Sequence, residues 1–156
     1  MNYSIDQLEK NLKDGKISPV YVFHGDESFF YENLIKKLEE KIIPKHDKPF
    51  NQFVKYGKDL NVQTLIGDVR RFPMMAECQM VIVKNAQLIQ GFNEKQNQKQ
   101  IEQYLSNPIK STVLILQFDD ALDERKAWIK NANADVAFCL SKKMYDNKLP
   151  EWLGAY

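Results

Sequence analysis

The chain is poor in the residues that build metal sites and disulfide frameworks. It has two cysteines, Cys78 and Cys139, and two histidines, His24 and His46. The cysteines stand far apart without CxxC or HxxxH company, so no zinc site is expected, and with no motif for another group no cofactor is expected either. Two isolated thiols without a secretory leader fit a reduced, cytoplasmic protein. The opening Met1-Asn2-Tyr3-Ser4-Ile5-Asp6 lacks the basic and apolar regions of such a leader. No apolar run approaches the roughly 18 residues of a membrane span. Charge of one sign is also missing: the net value is +1, which gives no whole-chain signal for a polyanion. What is present is core material. The 156 residues are 44% hydrophobic and 12% aromatic, enough for one domain, or one domain and a fragment of another.

The apolar pattern alternates between two periods. Ser4 to Lys13 reads as a helix, with Ile5, Leu8 and Leu12 on one face and Gly15 beyond its end. Val20 to Phe23 reads as a strand. A second helix is expected from about Ser28 to Ile43, on the spacing of Phe30, Leu34, Ile35, Leu38 and Ile42, with Pro44 to stop it. Strand Gln52 to Tyr56 and a helix from about Asn61 to Arg71 follow. Met80 to Val83 is a continuous apolar run, the mark of a strand covered on both faces. A helix ending before Pro108, strand Thr112 to Leu116, a helix from Glu124 to Ala132 and strand Val136 to Cys139 complete the alternation. Helices between strands, with connections long enough for crossovers, imply an α/β fold: a parallel sheet with helices on both faces. Lys142 to Tyr156 breaks the pattern, and Leu149-Pro150-Glu151-Trp152-Leu153 reads as the start of another helix.

The turn His24-Gly25-Asp26-Glu27 lies between a strand and a helix, where phosphate loops are found. A working loop needs GxxxxGK followed by Ser or Thr. Counted from Gly25, Phe30 stands at the second glycine, Tyr31 at the lysine and Glu32 at the hydroxyl. Asp26 and Glu27 would repel a phosphate by about 1–4 kcal/mol at 4 Å. The same carboxylates suit the positive end of their own helix. A magnesium-binding acid after an apolar strand has one candidate pair, Asp119 and Asp120, which read as turn or cap residues. His24 reads as structural and His46 as a solvated loop residue. A small nucleotide hydrolase or transferase using His24, Asp26, Asp119 and Asp120 is the alternative from another functional class. A nucleic-acid module is a third: Lys36, Lys37, Lys41, Lys45 and Lys48 are numerous, but Glu39 and Glu40 interrupt them.

Three segments carry a family resemblance. Pro19 to Phe30, with its apolar strand and Gly25-Asp26-Glu27, resembles the opening of the delta subunit of the bacterial DNA polymerase III clamp loader. Arg71 to Ala86 is similar to that family's segment of proline, apolar tip, apolar strand and basic-x-Ala. Leu149 to Leu153 resembles its passage into a second domain. The resemblance implies a three-layer, AAA+-like (P-loop NTPase-like) domain with a five-stranded, mainly parallel sheet and a degenerate phosphate loop at Gly25, Asp26, Glu27, Phe30 and Tyr31. It implies residues 1–140 as the clamp-binding domain, and 141–156 as a linker and the start of a truncated helical domain. It implies no catalytic site in this subunit, polymerisation being the work of another. The implied partners are the beta sliding clamp, the ATP-binding gamma/tau and delta prime subunits, and primed DNA through the assembled complex, with no membrane.

The family's clamp-binding tip maps to Met74 and Met75, with Arg70 and Arg71 at its rim. Where relatives often carry Leu-Phe, this chain has Met-Met, and Cys78 stands where an arginine is common. The residues support the tip independently. Val62, Leu65, Ile66 and Val69 can face the sheet, leaving Arg70, Phe72, Met74 and Met75 near the helix end. Methionine is frequent on partner-binding surfaces, and two buried methionines contribute roughly 3–6 kcal/mol before ordering costs. Packing of these apolar residues under the sheet is the competing reading. The resemblance places the two methionines outside, and Phe72 is expected in the core.

Overall fold

A computed structural model describes residues 2–25, 29–43, 51–73 and 78–141. Asp26 and Glu27, the side chain of Phe30, Met74 and Met75, His46 with Lys45 and Lys48, and the whole stretch 142–156 lie outside the described residues. The elements run α1 (Ile5–Lys13), β1 (Val20–Gly25), α2 (Phe29–Ile42), β2 (Gln52–Tyr56), α3 (Val62–Val69), β3 (Gln79–Lys84), α4 (Lys95–Ser106), β4 (Thr112–Gln117), α5 (Ala127–Lys130) and β5 (Val136–Ser141). Two helix starts follow from side-chain caps. Ser4 accepts from the Gln7 N–H while the Gln7 side chain accepts from the Ser4 N–H. Asn61 accepts from the Thr64 N–H at 2.8 Å and opens α3.

The five strands form one sheet in the order β2-β3-β4-β1-β5, and every pairing is parallel. Successive side chains of a strand point to opposite faces, so each apolar run feeds two cores. Val20, Val22, Val81, Val83, Leu114 and Leu116 meet α3, α4 and α5 through Val62, Leu65, Ile101, Tyr104 and Trp128. Tyr21, Phe23, Met80, Ile82, Val113 and Ile115 meet α1 and α2 through Leu8, Leu12, Tyr31, Leu34 and Leu38. The result is three layers, which is why the strands read as continuous apolar runs.

The sidedness of the helices follows from the strand order. The chain crosses the sheet one way from β1 to β2, with α2 on one face. It steps back through β3 and β4 and on to β5 with α3, α4 and α5 on the other. Reversing direction and face together preserves one crossover hand. The chain therefore leaves β1 and its neighbour β4 towards opposite faces, which opens a crevice at their carboxyl ends. One outer edge, that of β5, is partly covered: the Tyr3 N–H donates to the Phe138 carbonyl at 2.8 Å. The helix expected over Glu124 to Ala132 is shorter, Ala127–Lys130. Arg125 turns back on Asp123 through its backbone N–H and its guanidinium, and this turn takes the residues expected in the first helical turn.

Candidate functional site

Two regions compete, and they lie at opposite ends of the sheet. The first is the crevice at the carboxyl ends of β1 and β4. Gly25 has φ 121°, and a Cβ there would overlap the Ser141 carbonyl of β5. Close approach of two strands therefore demands glycine here without reference to a ligand. His24 is buried, and its Nδ1 accepts from the Leu122 N–H at 2.9 Å. Burial lowers its pKa, against an opposing pull from Glu124. Tyr31, at the position a phosphate-loop lysine would hold, is fully buried and stacks on Phe23 at 4.8 Å between centroids. Burial above all, with the charges of Asp119 and Glu32, pushes its phenol up to about 12.

Beyond β4, Asp119 and Asp120 are exposed. The Asp119 carboxylate accepts from Asn85 at 2.7 Å and from the Gln87 amide, while its own N–H donates back to Gln87. Asn85 makes this reach from a left-handed backbone, φ 54°, which asparagine tolerates. Asp119 thus ties the turn after β4 to the turn after β3. Among the described residues, no group of three or more His, Cys, Asp or Glu side chains is arranged to hold a metal. No helix there is long and apolar enough to cross a membrane.

The second region is the end of α3 and the approach to β3, at the amino end of the sheet. Arg70 caps the helix, and its N–H donates to the Ile66 carbonyl. Its guanidinium lies over Tyr104 at 5.5 Å, and that of Arg71 lies over Phe53 at 5.3 Å. Arg71 also pairs with Asp68 at 2.6 Å, and Lys55 of β2 reaches the same carboxylate at 3.8 Å. Both arginines are therefore braced against their own domain.

The structure corrects the expectation for Phe72. It is not in the core but 88% exposed. The apolar residues of α3 already fill the space against the sheet: Val62, Leu65 and Val69 are all buried. Phe72, beyond the last turn, has no place left there. The base of this projection is held by Gln79, a residue that sequence reasoning passed over. Gln79 is 1% exposed, and its amide donates to the Arg71 carbonyl at 2.6 Å, the Asp68 carbonyl at 3.2 Å and Thr112 Oγ1 at 2.9 Å. Two N–H groups are shared among three acceptors, so one side chain clasps the end of α3 to the starts of β3 and β4. Cys78 beside it is half-buried, and burial raises its thiol pKa.

Layering, strand order and crevice together define an AAA+-like α/β domain of the P-loop NTPase-like kind. Residues 21–140 match the family model for DNA polymerase III, delta subunit, and the chain belongs to that family. DNA polymerase III subunit delta of Bacillus subtilis is 31% identical over 144 residues, covering 89% of this chain and 41% of that protein. The solved B. subtilis DNA clamp loader delta protein (YqeN) superposes with a TM-score of 0.81 at 26% identity, over 95% of this chain and 45% of its own. A DNA polymerase III gamma subunit-related protein from Thermotoga maritima has a TM-score of 0.57 at 12% identity, over 98% of this chain and 50% of its own, and shows the fold alone. The chain spans less than half the length of the two B. subtilis relatives.

Proposed function

We propose that this domain binds the beta sliding clamp through the projection after α3 and favours the open state of the ring for loading on primed DNA. The observation that carries the reading is the clasped projection itself. In a chain of the delta family, an apolar side chain stands 88% exposed on a backbone that Gln79 ties to the sheet. Met74 and Met75 follow directly and form the plug, and Arg70 and Arg71 form its rim. The interaction favours the sprung ring by the difference between its affinities for the open and closed states, and by no more than that.

The domain does so without binding ATP, and it carries no catalytic site of its own. Support comes from the occupied crevice: Gly25 serves the β1–β5 contact, Tyr31 is sealed in the core, and Asp119 is engaged by Asn85 and Gln87. The timing of clamp binding belongs to the ATP-binding partner subunits, and gamma/tau and delta prime are the companions of this chain in a cytoplasmic clamp-loader complex. Residues 1–140 are the clamp-binding domain, and 141–156 lead into a helical domain.

Titration of the cognate beta clamp with this chain tests the reading. The wild-type chain binds, the Met74→Ala, Met75→Ala double variant loses most of the affinity, and calorimetry with magnesium-ATP shows no heat of binding. Equal affinity of the wild type and the double variant defeats the plug assignment. Saturable ATP binding defeats the account of the crevice.

A further inference from the structure

We infer that the groove under the amino ends of β1, β4 and β5 is a second, electrostatic contact with the clamp, and that it takes a short, extended, acidic segment of the clamp surface. The inference rests on the clamp-binding reading above but concerns a different face of the domain. The groove lies on the side covered by α1 and α2, whereas the projection follows α3 in the other layer. The cavity measures about 920 Å³ and stands half open to solvent. Its floor is apolar, made by Leu8, Tyr21, Ile42 and Val113. Three lysines line it from three separate elements: Lys16 after α1, Lys41 in the last turn of α2 and Lys110 before β4. Against them stands one acid, Asp135. The chain as a whole carries only +1, so this excess is local.

A lysine on a solvated face is ordinary; what distinguishes these is how their backbone is mounted. Helix α1 closes with Gly15 at φ 80°, its N–H donating to the Leu12 carbonyl at 3.1 Å and the Lys16 N–H to the Asn11 carbonyl at 2.8 Å. Two residues on, the Ser18 N–H donates to the buried Tyr21 hydroxyl at 2.9 Å. The strap carrying Lys16 is thus pinned at both ends. The turn carrying Lys110 is pinned too: the Ser111 carbonyl accepts from the Gln79 N–H at 2.9 Å, and the Ile109 carbonyl from the Thr112 N–H at 3.3 Å. Lys41 spends its ammonium on the Leu12 carbonyl at 2.6 Å, the negative end of α1. Lys16 and Lys110 are exposed, and neither pairs with an acid among the described residues. They are the two cations left for a partner.

The groove has the dimensions of a peptide. It crosses the starts of β3, β4, β1 and β5, from Cys78 to Asp135. Strands about 4.8 Å apart make that span about 14 Å, the length of roughly four extended residues at about 3.3 Å each. An apolar side chain of the occupant meets the floor while neighbouring carboxylates reach Lys16 and Lys110. A nucleic-acid backbone would meet the same lysines and leave the apolar floor uncovered. Place points to the clamp as the source. Cys78 lines the groove and directly precedes Gln79, whose amide holds the base of the projection, so a partner seated on the projection lies over both. Charges at such a rim act mainly on the encounter rate and its salt dependence.

Clamp titration at low and high salt tests the assignment, with Lys16→Glu, Lys110→Glu as one double variant and Lys95→Glu, Lys99→Glu on α4 as a control of equal net charge. The groove variant weakens clamp binding by about tenfold or more at about 50 mM salt, and the loss shrinks towards about 500 mM. The control stays within about threefold of wild type, and both melt as the wild type does because these side chains are exposed. Lys16→Gln, Lys110→Gln shows a smaller loss of the same kind. Equal weakening in groove variant and control overturns the groove, since net charge alone then explains the effect. Wild-type affinity in the groove variant, beside a weakened Met74→Ala, Met75→Ala variant, overturns the groove and leaves the clamp-binding reading standing. So does loss of binding to a labelled primed oligonucleotide with clamp affinity intact. No clamp binding by the wild-type chain overturns the clamp-binding reading itself.

Discussion

Replacing Gln79 by methionine keeps the length of the side chain and removes both of its amide donors. Three acceptors lose this donor, the Asp68 and Arg71 carbonyls and Thr112 Oγ1, although the Asp68 carbonyl keeps the Arg71 N–H at 3.4 Å. Arg71 is exposed, so water can reach its carbonyl. Thr112 is fully buried, so its hydroxyl bears most of the cost. An unsatisfied buried polar group costs about 1–3 kcal/mol, and the apolar replacement returns part of that. The net expectation is a destabilisation of roughly 1–3 kcal/mol, or about 2–12 °C in melting temperature for a domain of this size. Urea denaturation followed by far-UV circular dichroism reads it. The same variant frees the end of α3 from β3 and β4, so clamp affinity falls further than the loss of folded protein explains. A shift in unfolding free energy below about 0.5 kcal/mol, the scale of an ordinary surface substitution, refutes the clasp.

Gly25→Ala combines a left-handed backbone with overlap against the Ser141 carbonyl, and costs about 2–4 kcal/mol of stability. Unaltered stability, measured by the same denaturation, contradicts the strand-contact account of this glycine. His24 gives a pH signature. Its folded pKa lies below 6.5 because it is buried, so the unfolded chain binds the proton first as pH falls. Stability is therefore full above about pH 6.5 and declines as pH drops from there towards the folded pKa. His24→Gln flattens that decline, and equal slopes for the two proteins between about pH 6.5 and 5 count against it.

Much of the architecture was readable because strand and helix periods differ so plainly here. Val20 to Phe23 and Thr112 to Leu116 read as strands, Met80 to Val83 as one covered on both faces, and Val62, Leu65 and Val69 mark one helical face. Strand ends were less legible. β1 runs on through His24 and Gly25 because β5 pairs with them, and that partner is remote in sequence. Phe72 misled because apolar residues inside a fold are the rule, while an apolar residue outside it leaves no mark in the sequence. Gln79 gave no signal at all. A glutamine before an apolar run looks like a boundary residue, and only the tertiary position of the α3 carbonyls makes it a clasp. The phosphate-loop comparison at Gly25 was informative because it tests spacing, which sequence records directly. What fills the crevice depends on Tyr31 and Asp119, whose contacts the spacing does not contain.

The most direct test of where the domain does its work is amide hydrogen exchange with and without the cognate beta clamp. Slowed exchange should fall on the end of α3 and on residues 70–79, with Gly25, Asp119 and Leu122 at the other end of the sheet unchanged. Protection centred on Gly25 and the turn after β4, with residues 70–79 exchanging as in the free chain, would place the working surface at the crevice and contradict the account.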